Sequence, residues 1–274
     1  MKGIVAGPGG ARGFIAGVMQ TIMEGLGPDH FDFGKAVSSG VYPLAFYFSN
    51  QSEEHQAIYR HEVGGLGKLF NPFNKKPVLD FDFLFKIFDR YSFDAERVAN
   101  SGKLEVVATN VKTGEATYII PKTKEEVYIA MAITSAVPIA HHPVSYKNEY
   151  FIDGWFSNPL PIERAFEQGC DELVVIMNSP RGVVSDRFMK SMLGIVRRRL
   201  FSVSTMLTSE IISRSQRKQE SIEELLENTE LPVYVIRPSE PLPHFSLFDS
   251  GKSAINQSFD LGMEAGYAFL KKYT

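Results

Sequence analysis

A chain of 274 residues with 44% hydrophobic and 22% charged side chains carries enough apolar surface for one sizeable α/β domain and too much for a disordered segment. Its formal net charge of -3 leaves no basic excess for neutralising a phosphate polymer, which argues against a general nucleic-acid binder. The single cysteine, Cys170, excludes an intramolecular disulfide and suits a reducing compartment; placed just before the apolar run "ELVVIM", it reads as a buried thiol.

The opening "MKGIVAGPGG" is interrupted by glycine before a signal-peptide core forms, and no window reaches the apolar length that spans a bilayer, so a cytoplasmic location is expected. "KGIVA" reads as a short buried strand, followed by the turn "GPGGARG" and a helix in which Phe14, Ile15, Val18, Met19, Ile22 and Met23 recur at helical spacing until Gly25 and Gly27 stop it. The pattern repeats at "GKAVS", a strand, followed by the helix "SGVYPLAFYFSN", where Pro43 is tolerated because it falls in the first turns. "SEEHQAIYRHEV" and the aromatic "DFDFLFKIFDR" read as helices around a glycine-rich loop, and no chemistry attaches to them. "KLEVVATNVKTGEATYII" reads as two strands joined at Lys112 to Glu115, with Gly114 supplying a positive φ. The helix "TKEEVYIAMAITSA" stops before Pro138. Next come the strand "NEYFID", a tight turn at Asp153 and Gly154, a helix from Pro161, the strands "DELVVIMNS" and "LPVYVIRP", and a closing helix "SAINQSFDLGMEAGYAFLKKYT".

Strands that alternate with helices and are apolar on both faces predict a three-layer α/β/α sandwich around a mainly parallel sheet. With no repeat and no clear linker, residues 1–274 are expected to form a single domain.

A glycine-rich turn between a first strand and a first helix has two common uses: holding a dinucleotide pyrophosphate, or aiming N–H groups at a developing oxyanion. The dinucleotide fingerprint needs glycine at the sixth position, where Arg12 stands, and the second strand ends in "AVSSG" without an acidic residue for a ribose. The oxyanion use fits what is present. Gly9 and Gly10 lack Cβ, so their N–H groups can approach a substrate carbonyl closely, and Pro8 stiffens the turn. Ser38, where a strand turns into a helix, stands where a nucleophile is lifted above a sheet; taken alone, Ser38 or Ser39 is equally a helix cap.

Three separated pieces, "PGGARG" at 8–13, "AVSSG" at 36–40 and "DGW" at 153–155, resemble in order and context the patatin-like phospholipase family. That family carries G-G-G-x-R-G, G-x-S-x-G and D-G-G or D-G-A. "ATNVKTGE", "ITSAVPIAHHPV" and "DGWFSNPLP" look like its linking segments, so the resemblance covers residues 2–178, with 179–274 as a C-terminal helical and strand extension. Three positions depart from the pattern: Pro8 and Ala36 replace glycines, and Trp155 replaces a small residue.

The resemblance implies a serine lipid acyl hydrolase working through a Ser-Asp dyad, with Ser38 attacking an ester carbonyl and Asp153 acting directly as general base. Gly9 and Gly10, with Arg12, would form the oxyanion hole, while Ser39, Gly40, Gly154 and Asn158 would support the motifs. A carboxylate with an ordinary pKa of about 3.9 is a weak base at neutral pH, so an apolar wall is expected beside Asp153, with Trp155 and Phe156 as candidates. A Ser, Asp, His triad would use His244, which lies in an irregular proline-rich segment, whereas His141 and His142 precede Asp153, out of the usual order. A lipid- or acyl-binding protein that has lost its chemistry through Ala36 and Trp155 is the competing class.

No cofactor is expected, and the histidines and carboxylates show no metal-ligand spacing. Between Arg181 and Glu220 stand nine Lys or Arg against three Asp or Glu. This mixture of basic and apolar residues fits either a helix lying on an anionic lipid surface or a solvated cationic face over ordinary core contacts.

Overall fold

The computed structural model describes residues 1–10, 12–62, 79–138, 140–181, 221–243 and 252–273. The basic stretch at 182–220 and His244 lie outside them. Along the chain run β1 (Lys2–Ala6), α1 (Phe14–Leu26), β2 (Phe33–Ala36), α2 (Val41–Phe48), α3 (Ser52–His61), α4 (Phe81–Arg90), α5 (Ala95–Ser101), β3 (Leu104–Asn110), β4 (Ala116–Ile119) and α6 (Lys124–Thr134). After these come β5 (Val144–Tyr146), β6 (Glu149–Asp153), α7 (Ile162–Glu167), β7 (Glu172–Ile176), α8 (221–228), β8 (Val233–Ile236) and α9 (Lys252–Tyr273). Every strand read from the sequence is present. The three-residue β5, the short α5 and α8 are additions, the first two too brief to show a period of their own.

The sheet has the order β5-β6-β3-β2-β1-β7-β8, with β4 also paired to β3. Strands β3, β2, β1, β7 and β8 are mutually parallel, while β4 and β6 pair antiparallel with β3, and β5 pairs antiparallel with β6. Each parallel strand alternates between two cores. Ile4, Ala6, Ala36, Val106 and Ile176 face the layer that includes α1, α2 and α9, whereas Val5, Phe33, Leu173 and Val175 face α7 and α8. Each large apolar side chain fully buried this way contributes roughly 1.5–3 kcal/mol. Lys35 and Glu105 break the expected apolar pattern. They are register partners on β2 and β3, both buried, and they form an ion pair to which Gln168 adds an acceptor 2.7 Å from Lys35 Nζ.

The topology itself positions a site. From β1 the chain steps outward to β2 and β3, then returns to the other side of β1 at β7, so the order reverses beside β1. In open parallel sheets the crevice at such a reversal, outside the carboxyl ends of the strands, is where ligands bind. Here the glycine turn follows β1 and the serine turn follows β2.

Strand β3 brings a third segment to the same place. One of its edges carries β4, from Val106 opposite Ile119 to Thr109 opposite Ala116. Its other edge is shared, with β2 ending at Ala36 opposite Val106 and β6, arriving from the opposite direction, ending at Asp153 opposite Ala108. Two residues of strand, about 7 Å, separate those endpoints. The chain leaving β2 and the chain leaving β6 therefore meet head-on.

Candidate active site

Beyond β2, Val37 is still extended, and the chain then turns at Ser38 with φ 55 into a 3-10 turn, Ser38–Gly40, that leads directly into α2. A left-handed serine is held at a cost of roughly 1–2 kcal/mol and persists only where its surroundings fix it. Two contacts do so. The Ser38 N–H donates to Thr134 Oγ1 at 3.0 Å, and Gly40 N–H donates to Val37 O at 3.1 Å. Gly40 also packs against the end of β1 so closely that a Cβ there would lie 2.6 Å from the carbonyl oxygens of both Ala6 and Gly7. Elbow and glycine turn are thus in backbone contact. Ser39, in the middle of the turn, is half-buried.

Asp153 closes β6 and is buried, as is Ser38. Its main chain is fixed on both sides: its N–H donates to Ala136 O at 3.1 Å, and its carbonyl accepts from Thr109 Oγ1 at 2.7 Å. The Trp155 N–H donates to Oδ1 at 2.8 Å, and the Ser38 hydroxyl lies near enough to the carboxylate to favour its charged form. Burial raises the Asp153 pKa from 3.8 to about 7, against the opposing pull of the Trp155 N–H and the Ser38 hydroxyl. Trp155 and Phe156, expected as an apolar wall, pack on one another edge to face, and Phe156 is buried in a small cluster with Val137 and Ile152. Trp155 also contributes its backbone N–H, a contact that favours the charged carboxylate.

Gly154 sits against β3, where a Cβ would lie 2.2 Å from Val107 O. Asn158 N–H returns to Gly154 O at 2.9 Å, and its side-chain amide donates to Tyr118 OH at 3.0 Å, so Asn158 braces this segment. In the glycine turn Gly10 has φ 62, and among the described residues no acceptor meets the N–H of Gly9 or Gly10. Arg12 is half-buried; desolvation lowers its pKa, with no carboxylate among the described residues offsetting that burial. The turn therefore presents two uncommitted N–H groups and a desolvated cation.

No histidine among the described residues pairs with Ser38 or Asp153. His141 lies against Phe81 and its Nδ1 meets His142 O at 2.7 Å, while His55 is buried on Phe46, where burial pushes its pKa down to about 3. Thr134 and Thr109, which hold the backbone of Ser38 and Asp153, lie in the stretches "ITSA" and "VATN" but carried no role in the sequence reading.

The family model for Patatin-like phospholipase matches residues 9–166, more than half of the sequence and the segment that holds the serine, the aspartate and most of the glycine turn. The chain belongs to the patatin-like phospholipase family. This patatin-like protein is 26% identical over 282 residues to the uncharacterized protein YjjU of Escherichia coli strain K12, a match covering 97% of the chain and 76% of YjjU. Among solved structures it aligns with VipD from Legionella pneumophila at 11% identity and a TM-score of 0.46, over 97% of the chain and 67% of VipD. The family domain supports lipid acyl hydrolase activity in general. No helix among the described residues of the patatin-like protein is long and apolar enough to cross a membrane.

Proposed function

We propose that this patatin-like protein is a serine esterase that cleaves acyl esters of lipids through Ser38 and Asp153, by way of an acyl-enzyme. The observation that carries the reading is a buried carboxylate, raised to about 7, facing a hydroxyl on a strained strand-to-helix turn. A serine hydroxyl needs a base to take its proton, and a base works best when its pKa lies near the working pH. Ser38 Oγ attacks the ester carbonyl as its proton passes to Asp153. The carbonyl oxygen becomes an oxyanion facing the N–H groups of Gly9 and Gly10, and the Arg12 cation adds to the field that stabilises it. Collapse of this intermediate expels the alcohol, which takes the proton from Asp153. Water then attacks the acyl-serine, giving its proton to Asp153, and release of the fatty acid returns that proton to Ser38.

A fluorophosphonate probe tests the nucleophile. The wild-type protein should be labelled at pH 8 and Ser38→Ala should not, with turnover of a lipid-ester panel falling on the order of 10^6-fold in the variant. Labelling that survives in Ser38→Ala overturns the assignment of Ser38, and a wild type that binds the esters without labelling or turnover favours a binding protein on this scaffold.

A further inference from the structure

The glycine turn is held at its two ends by residues that lie beyond the matched family segment. At the start, Asn178, two residues past β7, donates from Nδ2 to Pro8 O at 3.1 Å. Its amide packs closely against the next residue, since a Cβ built on Gly9 would fall 2.1 Å from that nitrogen. Asn178 is buried, and its Oδ1 has no hydrogen-bond partner among the described residues. At the far end, Gly13 N–H donates to Ser258 Oγ at 2.8 Å, while Ser258 donates in turn to Ile255 O at 2.8 Å. Ser258 belongs to α9, which crosses α1 in backbone contact: a Cβ on Gly17 would meet Phe259 O at 2.1 Å, and one on Gly262 would meet Phe14 O at 2.1 Å. Between these anchors, Gly10 and Arg12 have little support of their own. Among the described residues nothing lies within 4 Å of a Cβ built on Gly10, and the bond from Arg12 N–H to Gly9 O is long at 3.4 Å.

From these contacts we infer that Asn178 and Ser258 are positioning residues for the oxyanion turn, holding its two ends so that the N–H groups between them keep their aim. The inference rests on the hydrolase reading above. Donors help a transition state only when already in place, and a misplacement of about 1 Å costs up to 100-fold in rate. The extension beyond residue 178 is then part of the catalytic machinery, because α9 carries one of the two anchors.

Asn178→Ala and Ser258→Ala are each expected to lower kcat on a soluble short-chain ester by roughly 10- to 100-fold with KM changed less than about 3-fold. Affinity for a trifluoromethyl ketone, whose serine adduct carries the oxyanion, should fall by the same factor as kcat. Affinity for a non-hydrolysable ether analogue should not move. Because both residues act on one turn, the double variant should lose less than the product of the single losses. Wild-type turnover that disappears in Ser38→Ala secures the hydrolase reading first; with it in hand, unchanged kcat in the folded variants overturns the clamp, as does a uniform loss of ether and ketone affinity. If the wild type turns nothing over, the hydrolase reading falls and the clamp is judged by amide hydrogen exchange in the peptide spanning the turn. Faster exchange in the variants then supports the clamp, and unchanged exchange overturns it.

Discussion

Asp153→Asn should lower kcat by about 10^4-fold or more and leave no pH dependence near neutrality in what activity remains. The asparagine keeps the shape of the side chain and an acceptor for the Trp155 N–H but cannot take the proton of Ser38. In the wild type, burial raises the carboxylate to about 7, so kcat/KM should rise close to tenfold per pH unit below that value and level off above it. A wild-type profile that is flat from pH 5 to 8 would remove Asp153 from the role of base. The same burial has a signature in stability. Between 3.8 and about 7 the folded protein holds a proton that the unfolded chain has released, so stability falls as pH rises through this window, and the loss is complete above it. Its size is on the order of 4 kcal/mol. Asp153→Asn, which cannot ionise, should therefore melt higher than the wild type at pH 8, with the gap closing towards pH 4. A variant that is both inactive and more stable is the mark of a group kept for its chemistry.

How much of this was legible in the sequence follows from the range of each interaction. The strand, glycine turn and helix at the start are set by neighbours a few residues apart, and β1 and α1 stand where periodicity and glycine placed them. The hairpin at Gly114, with φ 71, is equally local. Strand β5 has three residues, too few for a period, and its pairing with β6 has no turn signal as plain as the glycine of the earlier hairpin. Lys35 and Glu105 show the opposite limit, since a buried ion pair within a sheet depends on the register of two strands, which neither strand announces. The motif residues Ser38 and Asp153 were readable one at a time. Their meeting depends on β3 offering one edge to two strands, a property of the topology rather than of any window of residues. Asn178 and Ser258 lie 170 and 245 positions from their partners in the turn, and nothing near them in the chain marks that contact. A trace did exist for α9: Gly13 and Gly17 on one side and Gly262 and Gly266 on the other share a four-residue spacing, as two helices need when their backbones touch.

Gly40→Ala is expected to damage both the fold and the site with a single methyl group. Its Cβ would lie 2.6 Å from two backbone oxygens at the end of β1, Ala6 O and Gly7 O, and neither can swing aside as a side chain would. Relief requires the elbow to move away from the glycine turn. That separates Ser38 from the N–H groups of Gly9 and Gly10 that are proposed to receive the oxyanion. Overpacking of this kind costs up to about 3 kcal/mol, or a fall in Tm of roughly 6 to 12 °C for a chain of this size. Fluorophosphonate labelling should slow by about 100-fold as the geometry loosens. Gly10→Ala makes the comparison sharp. Gly10 has φ 62 but open space around it, so alanine there meets only the left-handed penalty of about 1–2 kcal/mol. If the turn and the elbow work as one unit, scanning calorimetry and labelling rates should both rank Gly40→Ala well below Gly10→Ala. An equal or reversed ranking would mean that their contact is incidental and that the elbow holds its shape without β1.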